Sequence, residues 1–246
     1  MSKVIVLASG GVDSALVMAK LLKQGDDVYP LFGNYDQIPY KGERRAIDSL
    51  VEWLRDRTAD YSQFAFDIKA KEIYPGVLHE IVEARISTGI GEIAACPGRV
   101  LSFVGAACIW AFTNDWHEGQ IAIGIHRGDK DRDSCRVGYQ DSLNETVKSL
   151  TQDRMGIITP LMGMTREQMA EEVEDLGIPW DTLYNCYWGE PCGSQSEHMD
   201  YRCPGCRRKQ EAMRHVGRPE SEWKIPNRYF STVSTRAIAR RDWKYA

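Results

Sequence analysis

A chain of 246 residues with 43% hydrophobic content has room for one α/β domain, or one domain with a small appendage, around a substantial core. Its net charge of −4 offers no general footprint for nucleic acid. The most apolar later run, residues 103–112, is too short to span a bilayer, and the N-terminus runs straight into a strand without a charged leader. Neither membrane insertion nor secretion is therefore expected, and a cytoplasmic location is.

The apolar run Val4-Ile5-Val6-Leu7 predicts a buried strand. Ala8-Ser9-Gly10-Gly11-Val12-Asp13-Ser14 follows, and then a helical run over 15–22 that stops near Gly25. A strand, a Gly-rich turn and a helix N-terminus make an anion site, because backbone N–H groups and the helix dipole both favour negative charge there. Ser9 and Ser14 add hydroxyls, and Asp13 is a candidate for Mg²⁺, which takes carboxylate oxygens beside phosphates. No Gly-Lys-Ser/Thr follows the glycines, so the Walker pattern is absent. Ser-Gly-Gly-x-Asp-Ser instead resembles the pyrophosphate loop of the N-type ATP pyrophosphatases. That resemblance implies that the loop holds the β- and γ-phosphates while a substrate attacks the α-phosphate.

Val28-Tyr29-Pro30-Leu31-Phe32 predicts a second strand, and a βαβ unit implies a parallel sheet with ligands at the carboxyl ends of its strands. Residues 33–37 lie at such an end. The segment from Tyr40 to Arg57 carries Ala46, Ile47, Leu50, Val51 and Leu54 at helical spacing, with Lys41, Arg44 and Arg45 on a solvated face. Residues 64–68 predict a third strand. Residues 69–95 carry a weak pattern, with a Gly-rich loop at 88–91. Cys96-Pro97-Gly98-Arg99 precedes a largely apolar helix over 101–112, and Arg99 there can meet a phosphate or carboxylate in bidentate fashion. Cys96 and Cys108 read as core or turn residues. Residues 120–125 predict a strand that leads into a loop dense in charge, residues 126–136. Asp129 in it is a Mg²⁺ candidate and Arg136 a candidate for a substrate carboxylate. A helix is predicted from Gly138 to about Leu150, and a short strand over 157–161. A last helix is capped by Thr165 with Gln168 in the capping-box position, and runs to Leu176 before Gly177 and Pro179.

Cys186, Cys192, Cys203 and Cys206 follow the spacing C-x5-C-x10-C-x2-C, and Cys203-Pro204-Gly205-Cys206 reads as a knuckle that faces two thiolates toward one ion. Four thiolates suit a structural zinc with no open coordination position. A redox pair and an iron–sulfur cluster are the alternatives, and His198 can replace one ligand.

These features stand in one order: the loop, Cys-Pro-Gly-Arg, a strand ending at Gly124, Asp133-Ser134-Cys135-Arg136, Thr-Pro-Leu, Leu-Gly-Ile-Pro-Trp, Asn185-Cys186-Tyr187 and the cysteines. The order resembles the 7-cyano-7-deazaguanine synthases, the QueC-type enzymes, from residue 3 to about 216. The resemblance implies a Rossmann-like α/β fold of the adenine nucleotide α-hydrolase type. Its parallel sheet has helices on both faces, with a nucleotide domain over 1–182, a zinc-binding helical subregion over 183–216 and an extension over 217–246. It also implies that ATP adenylates 7-carboxy-7-deazaguanine, that ammonia displaces AMP, and that a second activation dehydrates the amide to the nitrile. Ser9, Gly10, Gly11, Asp13, Ser14, Phe32 and Gly124 carry over to the nucleotide site, with Asp13, Ser14, Arg99 and Asp129 in the chemistry. Tyr35, Arg99 and Arg136 carry over to the substrate, and the four cysteines to Zn²⁺. A homodimer is the family expectation.

The chain departs from the family at the substrate end. Val100 stands where Asn is usual, Tyr35-Asp36-Gln37-Ile38-Pro39 replaces Tyr-Gly-Gln-Arg-His, and Ser134 splits Asp133 from Cys135. Arg166 replaces a Lys, residues 193–202 open the cysteine cluster, and residues 218–246 interleave aromatic and basic side chains past the usual end. Two alternatives follow. One is a paralogue that passes the activated acid to another nitrogen, such as a protein amine, in DNA modification or antiphage defence. The other is a non-catalytic nucleotide sensor, which the intact loop argues against. The extension is a candidate for packing or a protein contact, and nucleic acid is not expected there.

Overall fold

The computed structural model describes residues 2–63, 77–85, 98–127, 138–187 and 203–223. The elements in chain order are β1 (Lys3–Ala8), α1 (Val12–Gln24), β2 (Asp27–Asn34), α2 (Tyr40–Gln63), β3 (Val77–Leu78) and β4 (Val82–Arg85). They continue with α3 (Arg99–Thr113), β5 (Gly119–Ala122), α4 (Tyr139–Thr151), β6 (Met155–Ile158), α5 (Arg166–Asp175), a 3₁₀ turn (Trp180–Thr182), α6 (Pro204–His215) and α7 (Glu220–Trp223). The sheet order is β3-β2-β1-β5-β6, with every pair parallel. β4 continues the edge that β3 begins, pairing Val82–Arg85 with Leu31–Asn34.

Alternation along β1 divides the core. Val4, Val6 and Ala8 join Val28 and Phe32 in one apolar layer with residues of α1, α2, α5 and α6. Ile5, Leu31, Ile121 and Ile157 turn to the other face, against Val104, Ala107 and Ala111 of α3 and Leu143 and Val147 of α4. A parallel sheet must be covered on both faces, which explains its near-continuous apolar strands. The five apolar residues predicted for the inner face of α2 are all buried.

From β1 the chain crosses to β2 on one side, while β5 lands on the other. The strand order therefore reverses at β1, and the carboxyl ends of β1 and β5 frame a crevice. β5 ends at Ala122 and not at residue 125. Ile123 still donates its N–H to Ile158 O at 3.0 Å, and then Ile125 N turns back onto Ile123 O at 2.9 Å. β6 likewise begins at Met155 and ends before Thr159, ahead of the predicted span, because the chain turns where Met162 N bonds Thr159 O. The strand predicted over 64–68 and the loop at 88–91 lie outside the described residues.

At α5 the capping box forms as its sequence predicts. Thr165 Oγ1 accepts from Gln168 N at 3.3 Å, and Gln168 Oε1 accepts from Thr165 N at 2.9 Å. Thr165→Ala removes one satisfied donor at the helix start and should cost about 1 kcal/mol, lowering Tm by roughly 2–4 °C in a scanning calorimeter. An unchanged Tm would show that the cap is dispensable. Lys20 Nζ reaches Glu172 Oε1 at 2.6 Å, joining α1 to α5, and Met213 of α6 is buried in the same core. Among the described residues no helix is long and apolar enough to cross a membrane.

Candidate active site

Ser9, Gly10 and Gly11 turn the chain from β1 into α1. Gly10 has φ +75°, and a Cβ there would lie 2.6 Å from Ala46 Cβ and 2.9 Å from Ile47 N. A side chain is excluded both by conformation and by the backbone of α2. Ser14 is buried, and its hydroxyl accepts from Ser9 N at 3.3 Å while donating to Gly11 O at 3.1 Å. Ser14 thus closes the loop upon itself, and the exposed hydroxyl is that of Ser9. Gly11, at the N-cap of α1, has no side chain to cap the helix, and a helix N-terminus of this kind favours an anion.

Gly124 brings the end of the β5 segment onto this turn. Its Cβ position lies 2.9 Å from Asp13 Cβ, a distance that only glycine permits without displacement. Asp13, in the first turn of α1, therefore stands at the β1/β5 crevice. His126 is buried two residues further on. Asp129 and Arg136 lie outside the described residues.

A second polar group forms at the end of β2. Gln37 is buried; its Nε2 donates to Gly33 O and to Glu43 Oε2, both at 2.8 Å, and its Oε1 accepts from Tyr35 N. Arg99, in the first turn of α3, donates to the Tyr35 hydroxyl at 3.0 Å. The Tyr35 ring neighbours Phe103, which lies so close over Gly33 that a Cβ there would overlap it. Burial raises the Glu43 carboxyl above its usual range, against the opposing effects of the Gln37 hydrogen bond and the Arg99 charge. Tyr35 and Arg99, assigned separately from sequence, are therefore partners. Phe32 is fully buried in the core, so any nucleotide contact from it falls to its main chain. Glu43 escaped the sequence reading, since an acid in a helix's first turn normally serves only the dipole. Arg44 is also more than a solvated residue: its Nη1 meets Glu83 Oε2 at 2.7 Å.

The cysteine segment packs against the Ser9–Ser14 loop. The thiols of Cys186, Cys203 and Cys206 lie within 4.8 Å of one another, and the first two are buried. Cys203 caps α6, its sulfur accepting from Cys206 N at 3.5 Å and Tyr187 N at 3.4 Å. Three clustered soft donors fit a thiophilic ion such as Zn²⁺, and N–H groups aimed at sulfur favour the thiolate form that binds it. Cys192 and His198 lie outside the described residues. Lys209 steadies the segment from behind. It donates to Trp180 O and Leu183 O, both at 2.6 Å, and burial pushes its pKa down to about 8 against the pull of Cys206 and Asp181. Tyr184 N donates to Gly10 O at 2.9 Å, and its ring packs against Gly42. Its phenol is buried beside Cys186, and burial first, then that thiol, raise it well above the usual range. One residue, Asn185, thus separates Tyr184, bonded to the Ser9–Ser14 loop, from Cys186 of the cysteine cluster. Sequence reading missed this junction because Gly10 and Tyr184 are distant in sequence and carry no shared pattern.

One family model and relatives that include the following three match the chain. The model described as Queuosine biosynthesis protein QueC matches residues 3–217. The chain is 27% identical over 229 residues to a 7-cyano-7-deazaguanine synthase of Persephonella marina, covering 88% of this chain and 94% of that one. It is 26% identical over 223 residues to the synthase of Aquifex aeolicus, covering 87% and 97%. For the synthase of Sulfurihydrogenibium sp. the identity is 27% over 226 residues, covering 87% and 95%.

Proposed function

The chain belongs to the QueC family, and from that premise we propose that it is an ATP-dependent carbon–nitrogen ligase that converts 7-carboxy-7-deazaguanine to 7-cyano-7-deazaguanine. The observation that supports this reading best is the uncapped start of α1 beside Asp13 and Gly124, at the point where the strand order reverses. A pyrophosphate leaving group needs such a place, where N–H donors are fixed before the charge develops.

In this proposal the N–H groups of the loop and the Ser9 hydroxyl hold the β- and γ-phosphates. Ser14 fixes the loop from within. Asp13, with Asp129, would hold Mg²⁺, which supplies neutralisation of phosphate charge when bound. Arg99 and Arg136 hold the substrate carboxylate against the α-phosphate. The carboxylate attacks that phosphorus, pyrophosphate leaves, and an acyl-adenylate forms. Ammonia adds to the acyl carbon and expels AMP, giving the amide and one proton. The amide oxygen then attacks a second ATP, and loss of AMP from the adenylated amide leaves the nitrile. Each turn consumes two ATP and carries both carboxylate oxygens away on AMP. Cys186, Cys192, Cys203 and Cys206 would hold Zn²⁺ as structure. A homodimer in the cytoplasm, with residues 217–246 packing or meeting a protein partner, completes the proposal. The relatives carry the synthase name, so the conjugating alternative gains no support from them.

The oxygen accounting gives the test. With both carboxylate oxygens labelled as ¹⁸O, each nitrile formed should yield two AMP molecules, each carrying one label, read by mass spectrometry. Unlabelled AMP would show that the acid is not the group adenylated.

A further inference from the structure

Asn185 lies between the Ser9–Ser14 loop and the cysteine cluster. Its Nδ2 is 3.9 Å from the Cβ position of Gly11, beside Ser9 Oγ at 3.7 Å and Tyr184 O at 3.4 Å. Two hydrogen-bond donors, an amide and a hydroxyl, therefore border the same side of one loop glycine, at the uncapped N-terminus of α1. The opposite end of the amide, Oδ1, is buried and has no hydrogen-bond partner among the described residues. Its neighbours along the chain set its place instead. Asn185 O lies against the Cβ position of Gly205, in the knuckle itself, and the next residue is the clustered thiol Cys186.

The chemistry of the loop makes such a donor valuable. No lysine follows the glycines, so the loop offers a polyanion only N–H and hydroxyl groups. The nearby Lys209 amine is already committed to two carbonyls. We propose that Asn185 is a phosphate-binding residue of the ATP site, delivered to the loop by the metal-bearing cysteine knuckle. This rests on the ATP reading of the loop. The knuckle is then more than a distant staple: one face holds the ion and the other supplies a ligand to the nucleotide.

The test is calorimetric titration of magnesium pyrophosphate into zinc-loaded protein, with zinc content and Tm measured on each variant. Asn185→Ala should bind about tenfold more weakly, the loss of one hydrogen bond to a charged group. Asn185→Asp keeps the size and shape of the side chain but faces the phosphate with a negative charge, so it should bind more weakly than the alanine variant. Both should retain the zinc content and Tm of the parent chain. Asn185→Asp binding as tightly as the parent would overturn the proposal, since a packing role survives an isostere. Loss of zinc from both variants would place Asn185 in the knuckle alone and overturn it too. If the parent chain fails to bind pyrophosphate, the ATP reading falls and the inference with it.

Discussion

Asp13→Ala should lower substrate-dependent AMP release by about 10²–10³-fold while leaving Tm nearly unchanged. The side chain sits in the first turn of α1, partly exposed, so its removal opens no core cavity. Its backbone is already fixed from two sides. Gly124 packs against its Cβ, and the loop before it is tied by Ser14 and by the Tyr184-to-Gly10 hydrogen bond. What the substitution removes is the carboxylate proposed to hold Mg²⁺ beside the phosphates. The effect should fall on turnover, and extra Mg²⁺ should restore little of it, because a positioned ligand and not bulk ion concentration is lost. Full activity in the alanine variant would remove Asp13 from the chemistry. Gly124→Ala offers a matched check, since the added methyl presses on the same side chain without changing its charge.

Gly205→Ala is expected to strip the metal proposed for the cysteine cluster and destabilise the chain by roughly 3 kcal/mol or more, because a new Cβ overlaps a fixed main-chain atom and the binding energy of that ion would be lost with the site. The added methyl would overlap Asn185 O. Neither side can yield easily. Gly205 is buried in the first turn of α6, and Asn185 is flanked by Tyr184, tied to the loop, and Cys186, in the thiol cluster. The methyl must therefore force the Cys203–Cys206 turn away from Cys186. Metal content per chain and a melting curve read both effects together. A variant that keeps its metal and melts with the parent would show that the two segments separate at little cost, and would weaken the link drawn between knuckle and loop.

The parts of the site legible in sequence were those in which a local pattern carries a local reason. Ser9 to Ser14 announces itself because strand, glycines and helix follow without a gap. Thr165 and Gln168 announce a helix start because the reciprocal hydrogen bonds span three residues. Cys203 and Cys206 are informative because a two-residue spacing already makes a knuckle. The remainder depends on contacts between distant segments. Nothing around Glu43 tells of Gln37 and Arg99 converging on it, and nothing around Asn185 tells of Gly11. β3 and β4 were hidden for a different reason: strands of two and four residues at a sheet edge are too short to show a period. The end of β5 is masked in sequence because apolar residues continue through Ile125, while the chain has already left the sheet at Gly124 to pass over Asp13.

Ser14 illustrates how structure changes the meaning of a motif residue. As part of Ser-Gly-Gly-x-Asp-Ser it reads as a second hydroxyl for phosphate. In the fold it is buried, and both its hydrogen bonds run within the loop. The proposed anion contact therefore rests on Ser9, on the first N–H groups of α1 and on Asn185. Tyr35, Gln37, Glu43 and Arg99, the group proposed to meet the substrate, are connected to one another at the carboxyl end of β2.

The most direct test of the whole account is the mass of the deazaguanine product. Purified protein would be incubated with Mg·ATP and 7-carboxy-7-deazaguanine, with and without ammonium. The nitrile, by way of the amide, is expected only when ammonium is present, with AMP and pyrophosphate released. Recovery of the unchanged acid, with ATP intact in the presence of ammonium, would contradict it.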